Sequence, residues 1–308
     1  MPNFFREVLC PLIFATSSRG KLRLINWLQR NRLLKRNVNC GNCRNAMRLI
    51  RHPRNGDGYI WRCHRCRRSS SVRVHSYFYG SKISIARQLQ FLWKWAHKCS
   101  LRMMEIEGTA SQKVLVKFAR KCQQVAWEAL LRHPIPQLGG PGVIVQIDES
   151  KFNHKSKFHR GRRPQRERWV LGLFDTQYAP ARPYLQLVRR RNAATLLRII
   201  QRKVQPGSIV HTDQWAAYRQ LQRRLGLQHG AVNHSLHFVD PVTGVHTQNA
   251  ESNWCTAKEK FKKMKGNTNP DFLIEYLQEF TWRRWYGEPH PNGCFRRLLD
   301  DIAEQYPL

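Results

Sequence analysis

Two hydrophobic periodicities divide this 308-residue chain. From residue 82 to 132, apolar side chains return every three or four positions, in "ISIARQLQFLWKWA" and again in "SQKVLVKFARKCQQVAWEALL". That spacing lines one face of a helix. "HPIPQLGGPG", residues 133–142, breaks the pattern with proline and glycine and reads as a linker. Beyond it, short apolar runs replace the helical spacing: "GVIVQIDES", "RWVLGLFDT" and "YLQLVRR" predict three strands. "NAATLLRIIQRKV" predicts a helix capped by Asn192, "SIVHTD" a fourth strand, and "QWAAYRQLQRRLG" a second helix ending at Gly226. "SNWCTAKEKFKKM" predicts a further helix. This order gives an α/β fold with a mixed sheet. Residues 1–38 show only a short amphipathic stretch, "LRLINWLQRNRLLKR", which reads as a basic arm or a helix.

Charge changes the picture most. There are 54 Lys and Arg against 20 Asp and Glu, a formal net charge of +34. A polyanionic partner follows, nucleic acid being the commonest. The excess is uneven, because residues 1–140 hold 27 basic and 5 acidic side chains, so most acids lie in the strand-rich part. No window approaches the roughly 18 apolar residues of a membrane span. "VLCPLIFAT" contains Pro11, follows Glu7 and lacks a clear cleavage pattern. The chain is therefore expected to be soluble and intracellular, without a membrane partner. Nine cysteines, an odd number, fit a reducing compartment.

Four of those cysteines form "CGNC" (Cys40, Cys43) and "CHRC" (Cys63, Cys66), 19 residues apart with a turn-forming "HPRNGDG" between them. Two such knuckles can set four thiolates around one structural Zn²⁺, the signature of a zinc ribbon. The flanking "RCHRCRRSSSVR" makes phosphate contact its natural task. In the helical region, "EIEGTASQKVLVKFARKC" reads as helix, turn and helix. Lys113, Lys117, Arg120 and Lys121 lie on the second helix, as in a helix-turn-helix DNA-binding domain or a generic helical hairpin.

The strand-rich part carries candidate catalytic acids. Asp148 ends the first strand, Asp213 ends the fourth, and Glu251 opens a lysine-rich helix. If strands one and four are neighbours, the two aspartates meet at one edge and the helix can bring the glutamate to them. Three crowded carboxylates repel one another unless hard divalent cations neutralise them, and two Mg²⁺ or Mn²⁺ ions would do so while serving phosphodiester chemistry. Glu149 is the rival to Asp148, but adjacent strand residues point to opposite faces. The block "KFNHKSKFHRGRRPQRER" holds eight basic residues and one acid, and its Lys155, Lys157, Arg160, Arg162 and Arg163 are assigned to phosphate binding. His234, Trp254 and Lys258 are further candidates for DNA contact, with a packing role open for His234 and a core position open for Trp254.

These motifs, "QIDES", "WVLGLFD", "GSIVHTDQWAAY", "VNHSLHFVDPVTGVHTQNAESNW" and "LIEYLQEFTWRRW", resemble the transposases of the Merlin superfamily and their bacterial insertion-sequence relatives. The resemblance runs from about Cys40 to Tyr286. It implies an RNase H-like domain with a DDE triad of Asp148, Asp213 and Glu251, behind an N-terminal zinc ribbon. The expected organisation is a basic arm (1–38), a zinc ribbon (39–75), a helix-turn-helix-like domain (76–135), an RNase H-like catalytic domain (141–290) and a C-terminal tail (291–308). The implied activity is cut-and-paste transposition by a homodimer or larger assembly on double-stranded DNA, with two Mg²⁺ or Mn²⁺ ions per site. A non-cleaving DNA-binding descendant of such an enzyme is the alternative. The expected compartment is the nucleus of a eukaryotic host, or the cytoplasm and nucleoid of a bacterial one.

Overall fold

The computed structural model describes residues 4–152, 167–233, 236, 238–263 and 269–308. Lys155, Lys157, Arg160, Arg162, Arg163 and His234 lie outside the described residues. The chain forms two compact units, residues 1–129 with 286–308, and residues 130–285.

In the first unit a π-helical turn, Phe4–Leu9, runs into α1 (Cys10–Ile13), and α2 (Ser18–Arg30) follows. Ser17 caps α2 by accepting the Gly20 N–H at 3.1 Å. The amphipathic stretch is thus helical, with Leu24, Ile25, Trp27 and Leu28 buried. A three-stranded antiparallel sheet comes next: β1 (Met47–Arg51), β2 (Tyr59–Cys63) and β3 (Ser69–Ser71). Then come α3 (Ile85–Ala96), α4 (Leu101–Ile106) and α5 (Gln112–Arg132). Ser84 and Ser100 cap α3 and α4. Gly108, at φ +67°, turns the chain between α4 and α5, a conformation glycine adopts without steric cost.

One buried ion pair joins the small sheet to α3. The Arg73 guanidinium grips Asp57 with two hydrogen bonds, of 2.5 and 2.8 Å, while Asp57 Oδ1 also accepts the Ile85 N–H at 2.9 Å. Both side chains are buried. Each partner is needed because the other cannot reach water.

The second unit is a five-stranded mixed sheet with helices. Its strands are β4 (Ile144–Lys151), β5 (Trp169–Asp175), β6 (Arg182–Val188), β7 (Ile209–Asp213) and β8 (Gln228–Val232), in the order β6-β5-β4-β7-β8. β4, β5 and β6 are antiparallel neighbours, whereas β4, β7 and β8 run parallel. This is the RNase H-like arrangement. Helix α6 (Ala193–Lys203) starts at Asn192, whose side chain accepts the Thr195 N–H at 3.0 Å. Helices α8 (Gln248–Lys263) and α9 (Pro270–Trp282) share one core with β5 and β6, including Phe174, Leu185, Trp254, Leu273 and Phe280.

Two details depart from the periodicity. "QWAAYRQLQRRLG" is not one helix but a 3₁₀ turn, Ala216–Tyr218, and then a short α7, Leu221–Leu225, ended by Gly226 at φ +67°. The turn carries Tyr218 to a buried partner on β4, which a continuous helix would not. β8, "QHGAV", lacks the β-branched run that marks a strand and owes its form to pairing with β7. The segment 291–308 is more than a tail, since α10 (Gly293–Gln305) buries Phe295, Leu298, Leu299 and Ile302 within the first unit.

Asp57→Ala would leave the Arg73 guanidinium buried and uncompensated. Its cost should be about 3–5 kcal/mol in urea unfolding, whereas charge removal at an exposed arginine such as Arg48 should be nearly neutral.

Candidate functional site

The parallel pairing of β4 with β7 matches Ile144 to Ile209, Val145 to Val210 and Gln146 to His211. Continuing that register sets Asp148 level with Asp213 on neighbouring strands. Asp213 Oδ1 accepts the backbone N–H of Trp215 at 3.1 Å, fixing the turn that follows.

Helix α8 is docked on β4 through two polar anchors on alternate strand positions, which share one face of the sheet. Gln146 Oε1 accepts the Ala250 N–H at 3.1 Å, satisfying a free donor of the helix's first turn, and Gln146 Nε2 meets His246 Nδ1 at 3.3 Å. Two residues on, Asp148 Oδ2 accepts the Trp254 indole N–H at 2.9 Å. Glu251 stands in the exposed first turn of α8, one turn before Trp254 and on the same side of the helix. Asp148 thus lies inside β4, three residues before its end at Lys151, because pairing with β5 extends the strand past the apolar run; Asp213 does end β7, and α8 carries Glu251 over the same face of the sheet as Asp148. Trp254 is a core residue, only 5% exposed, with its ring packed edge-on against Phe152 and Phe174. It has no free face for a base and instead orients Asp148, so stacking on DNA does not fit its position.

Glu149 points the other way. Its carboxylate accepts the Tyr218 hydroxyl and lies 3.9 Å from the Arg191 guanidinium. Burial pushes its pKa up to about 7. The Tyr218 hydrogen bond pulls the other way, and the charges of Asp148 and Asp213 raise it further. The sequence marked Tyr218 only as part of a motif and did not single out Arg191; no spacing rule connects either to Glu149.

The four cysteines do converge. Among the described residues they are the one group of three or more His, Cys, Asp or Glu side chains whose ligand atoms all lie within 4.8 Å of one another; the three carboxylates do not meet at that spacing. Sγ atoms are 3.3 Å apart for Cys40 and Cys66, 3.4 Å for Cys43 and Cys63, and 3.6 Å for Cys43 and Cys66. Tetrahedral Zn–S bonds of about 2.3 Å require sulfurs about 3.8 Å apart, so the donors fit a zinc ion with small adjustment. Arg44 and Arg67, each following the second cysteine of its knuckle, sit at φ near +60°, tight turns that turn the backbone around the sulfurs. Hydrogen bonds from Asn45 hold the Cys43 thiol down at about 6. Cys66, although the Arg68 N–H pulls it down, is pushed up to about 11 by the neighbouring thiols, Cys40 first. Thiols that share protons in this way need a cation before all four can be thiolates.

Along α5, Lys113, Lys117 and Arg120 are exposed. Lys121 is not part of that row: it turns inward, donates to the Tyr77 carbonyl and lies 3.9 Å from the Tyr77 ring centroid. Burial lowers its pKa. It is spent on packing and is not free to meet phosphate. Lys258 is half-buried, its Nζ 5.6 Å from the Phe152 ring centroid.

Residues 137–284 match the ISXO2-like transposase domain. An uncharacterised transposase-like protein of Haemophilus influenzae is 37% identical over 101 residues, covering 32% of this chain and 78% of that protein. The chain belongs to this family of insertion-sequence transposases. Male abnormal protein mab-31 of Caenorhabditis elegans is 22% identical over 281 residues, 84% of this chain but only 61% of that protein. Among solved structures, the Mos1 transposase paired-end complex with its left transposon end superimposes at a TM-score of 0.26 with 14% identity, covering 71% of this chain and 78% of that one. The HTLV-2 integrase catalytic core with magnesium gives 0.30 with 13% identity, covering 48% and 88%.

Purified protein should carry about one zinc per chain by elemental analysis, and the double variant Cys63→Ser, Cys66→Ser should carry none. Trp254→Phe keeps the ring in the core but removes the hydrogen bond to Asp148. Stability read by urea unfolding should fall by about 1–3 kcal/mol, the cost of leaving a part-buried carboxylate oxygen without its indole donor.

Proposed function

We propose that the protein is a cut-and-paste DNA transposase that hydrolyses the ends of its element and joins the freed 3′ hydroxyls to target DNA. The observation that carries this reading is the placement of Asp148 and Asp213 at level positions on adjacent parallel strands, beneath the first turn of the helix that bears Glu251. All three present hard carboxylate oxygens, the donor type that divalent magnesium or manganese takes. Two such ions would neutralise the carboxylates, activate the nucleophile, water for hydrolysis and the 3′ hydroxyl for joining, and stabilise the departing oxygen of the phosphodiester.

The chain's own residues supply the remaining requirements. Trp254 holds one oxygen of Asp148 and so fixes the direction of the other. Tyr218 and Arg191 hold Glu149 on the far face, out of competition for the same site. Lys113, Lys117 and Arg120, with the arginines of the zinc ribbon, give the protein a cationic surface for the phosphates of the terminal repeats. Two ends must be processed together, so a homodimer or larger assembly on double-stranded DNA is part of the reading. A nuclear site of action follows if the host is eukaryotic.

Asp148→Asn, Asp213→Asn and Glu251→Gln should each lower cleavage of end DNA in Mg²⁺ or Mn²⁺ by several orders of magnitude while leaving DNA affinity within a few-fold. Glu149→Gln should be much milder than Asp148→Asn. Equal damage from the two, or near-normal cutting by Glu251→Gln, would shift the reading to a DNA-binding protein that does not cleave. Affinity for duplex DNA should also fall steeply with salt, in proportion to the phosphates contacted, as a net charge of +34 requires; a salt-independent affinity would remove the phosphate account.

A further inference from the structure

Arg191, just beyond the end of β6, is held on three sides. Its guanidinium lies 3.5 Å from the Trp169 ring centroid and 4.9 Å from that of Trp215, and Glu149 stands 3.9 Å away. The Trp215 indole N–H donates to the Arg191 carbonyl at 3.4 Å. Its backbone N–H donates to Asp213 Oδ1. Trp215 is thus tied through its backbone to Asp213 and through its ring to the cation that faces Glu149.

Despite these anchors, Trp215 is 42% exposed. If the stack served only to staple β5 to the loop after β6, the Trp169 and Arg191 pair would suffice, and a second indole would not have to face water. A large exposed aromatic beside an active site is a surface held ready for a planar ligand. Arg189 and Arg190, which precede Arg191 in the chain, are exposed and cationic, which suits a nucleotide, whose base is planar and whose phosphate is anionic. A base inside a duplex already stacks on both sides, so only one that has left the stack can take an indole face.

We propose that the outer face of Trp215 is a stacking platform for an unpaired nucleobase of the DNA end, and that Arg191, clamped between Trp169 and Glu149, is the positioning residue that holds the platform in place. This rests on the reading of the site as one that processes DNA ends. It adds where the displaced base goes: onto the indole of the residue whose backbone N–H is held by Asp213.

The test compares the full-length protein on two probes, a blunt duplex and the same duplex carrying a short single-stranded thymidine tail. Wild type should prefer the tailed probe. Trp215→Ala should lose about 10- to 100-fold of affinity for it and little for the blunt one, whereas Trp215→Phe should keep most of the preference. Arg191→Lys keeps the charge but not the plane, so tail preference should drop while the salt dependence of blunt-duplex binding stays unchanged. No tail preference in wild type, or an undiminished preference in Trp215→Ala, overturns the proposal. Cleavage assayed on the same probes bears on the enzymatic reading alone: a tail preference that depends on Trp215 in a protein that never cuts would keep the platform and discard the nuclease.

Discussion

The hydrogen bond from the Trp254 indole to Asp148 forms only because the residue across the sheet has no side chain. In the antiparallel pairing of β4 with β5, Asp148 faces Gly172. A Cβ on Gly172 would come within 2.6 Å of the Trp254 ring and 2.5 Å of Phe174, closer than real carbon atoms approach. The indole fills that slot. Ala250 and Ala257, four residues before Trp254 and three after it, are fully buried and let the helix backbone come close. Gly172 on β5 and the two alanines set how near the helix lies, and Gln146 on β4, capping its first turn, sets where along the strand it starts. The height of Glu251 above the aspartates follows from those two contacts.

Much of this was legible in the sequence. The element order from β4 to β7, the Asn192 cap and the Gly226 stop are local features, written in apolar spacing and in residues with one strong conformational use. The cysteine knuckles were legible because thiolate ligands come in fixed spacings. The alternation of Asp148 and Glu149 across the strand also follows from period two alone. What could not be read were contacts between residues distant in sequence. Nothing about Trp254 says that its indole will be needed 106 positions earlier, and nothing about Lys121 says that Tyr77 lies in its path. Spacing made Trp254 a candidate for DNA contact with a core position open, and put Lys121 among the basic side chains of a helix-turn-helix; packing claims both. β8 was missed for a related reason, because a short edge strand takes its form from its neighbour more than from its own residues.

The two candidate metal sites divide along chemical lines. Sulfur donors gather in a small sheet with little core of its own, where Met47 and Trp61 are buried with Cys40 and Cys63 and Val38 and Leu49 pack against them half-buried. There a bound ion would contribute directly to folding. The candidate oxygen donors stand on a sheet already held together by a large apolar core, so an ion bound there would serve chemistry and not the fold. Softness of the ligand and dependence on the metal therefore change together from one part of the chain to the other.

Helix α8 carries Glu251 and Trp254 within a single turn, so the third acid and the donor that aims the first acid are mounted on one rigid body. A small displacement of that helix does not weaken one contact while sparing the other. It lifts the glutamate away and releases Asp148 in the same movement. The two side chains therefore share one mounting, and a substitution that shifts α8 on the sheet acts on both together.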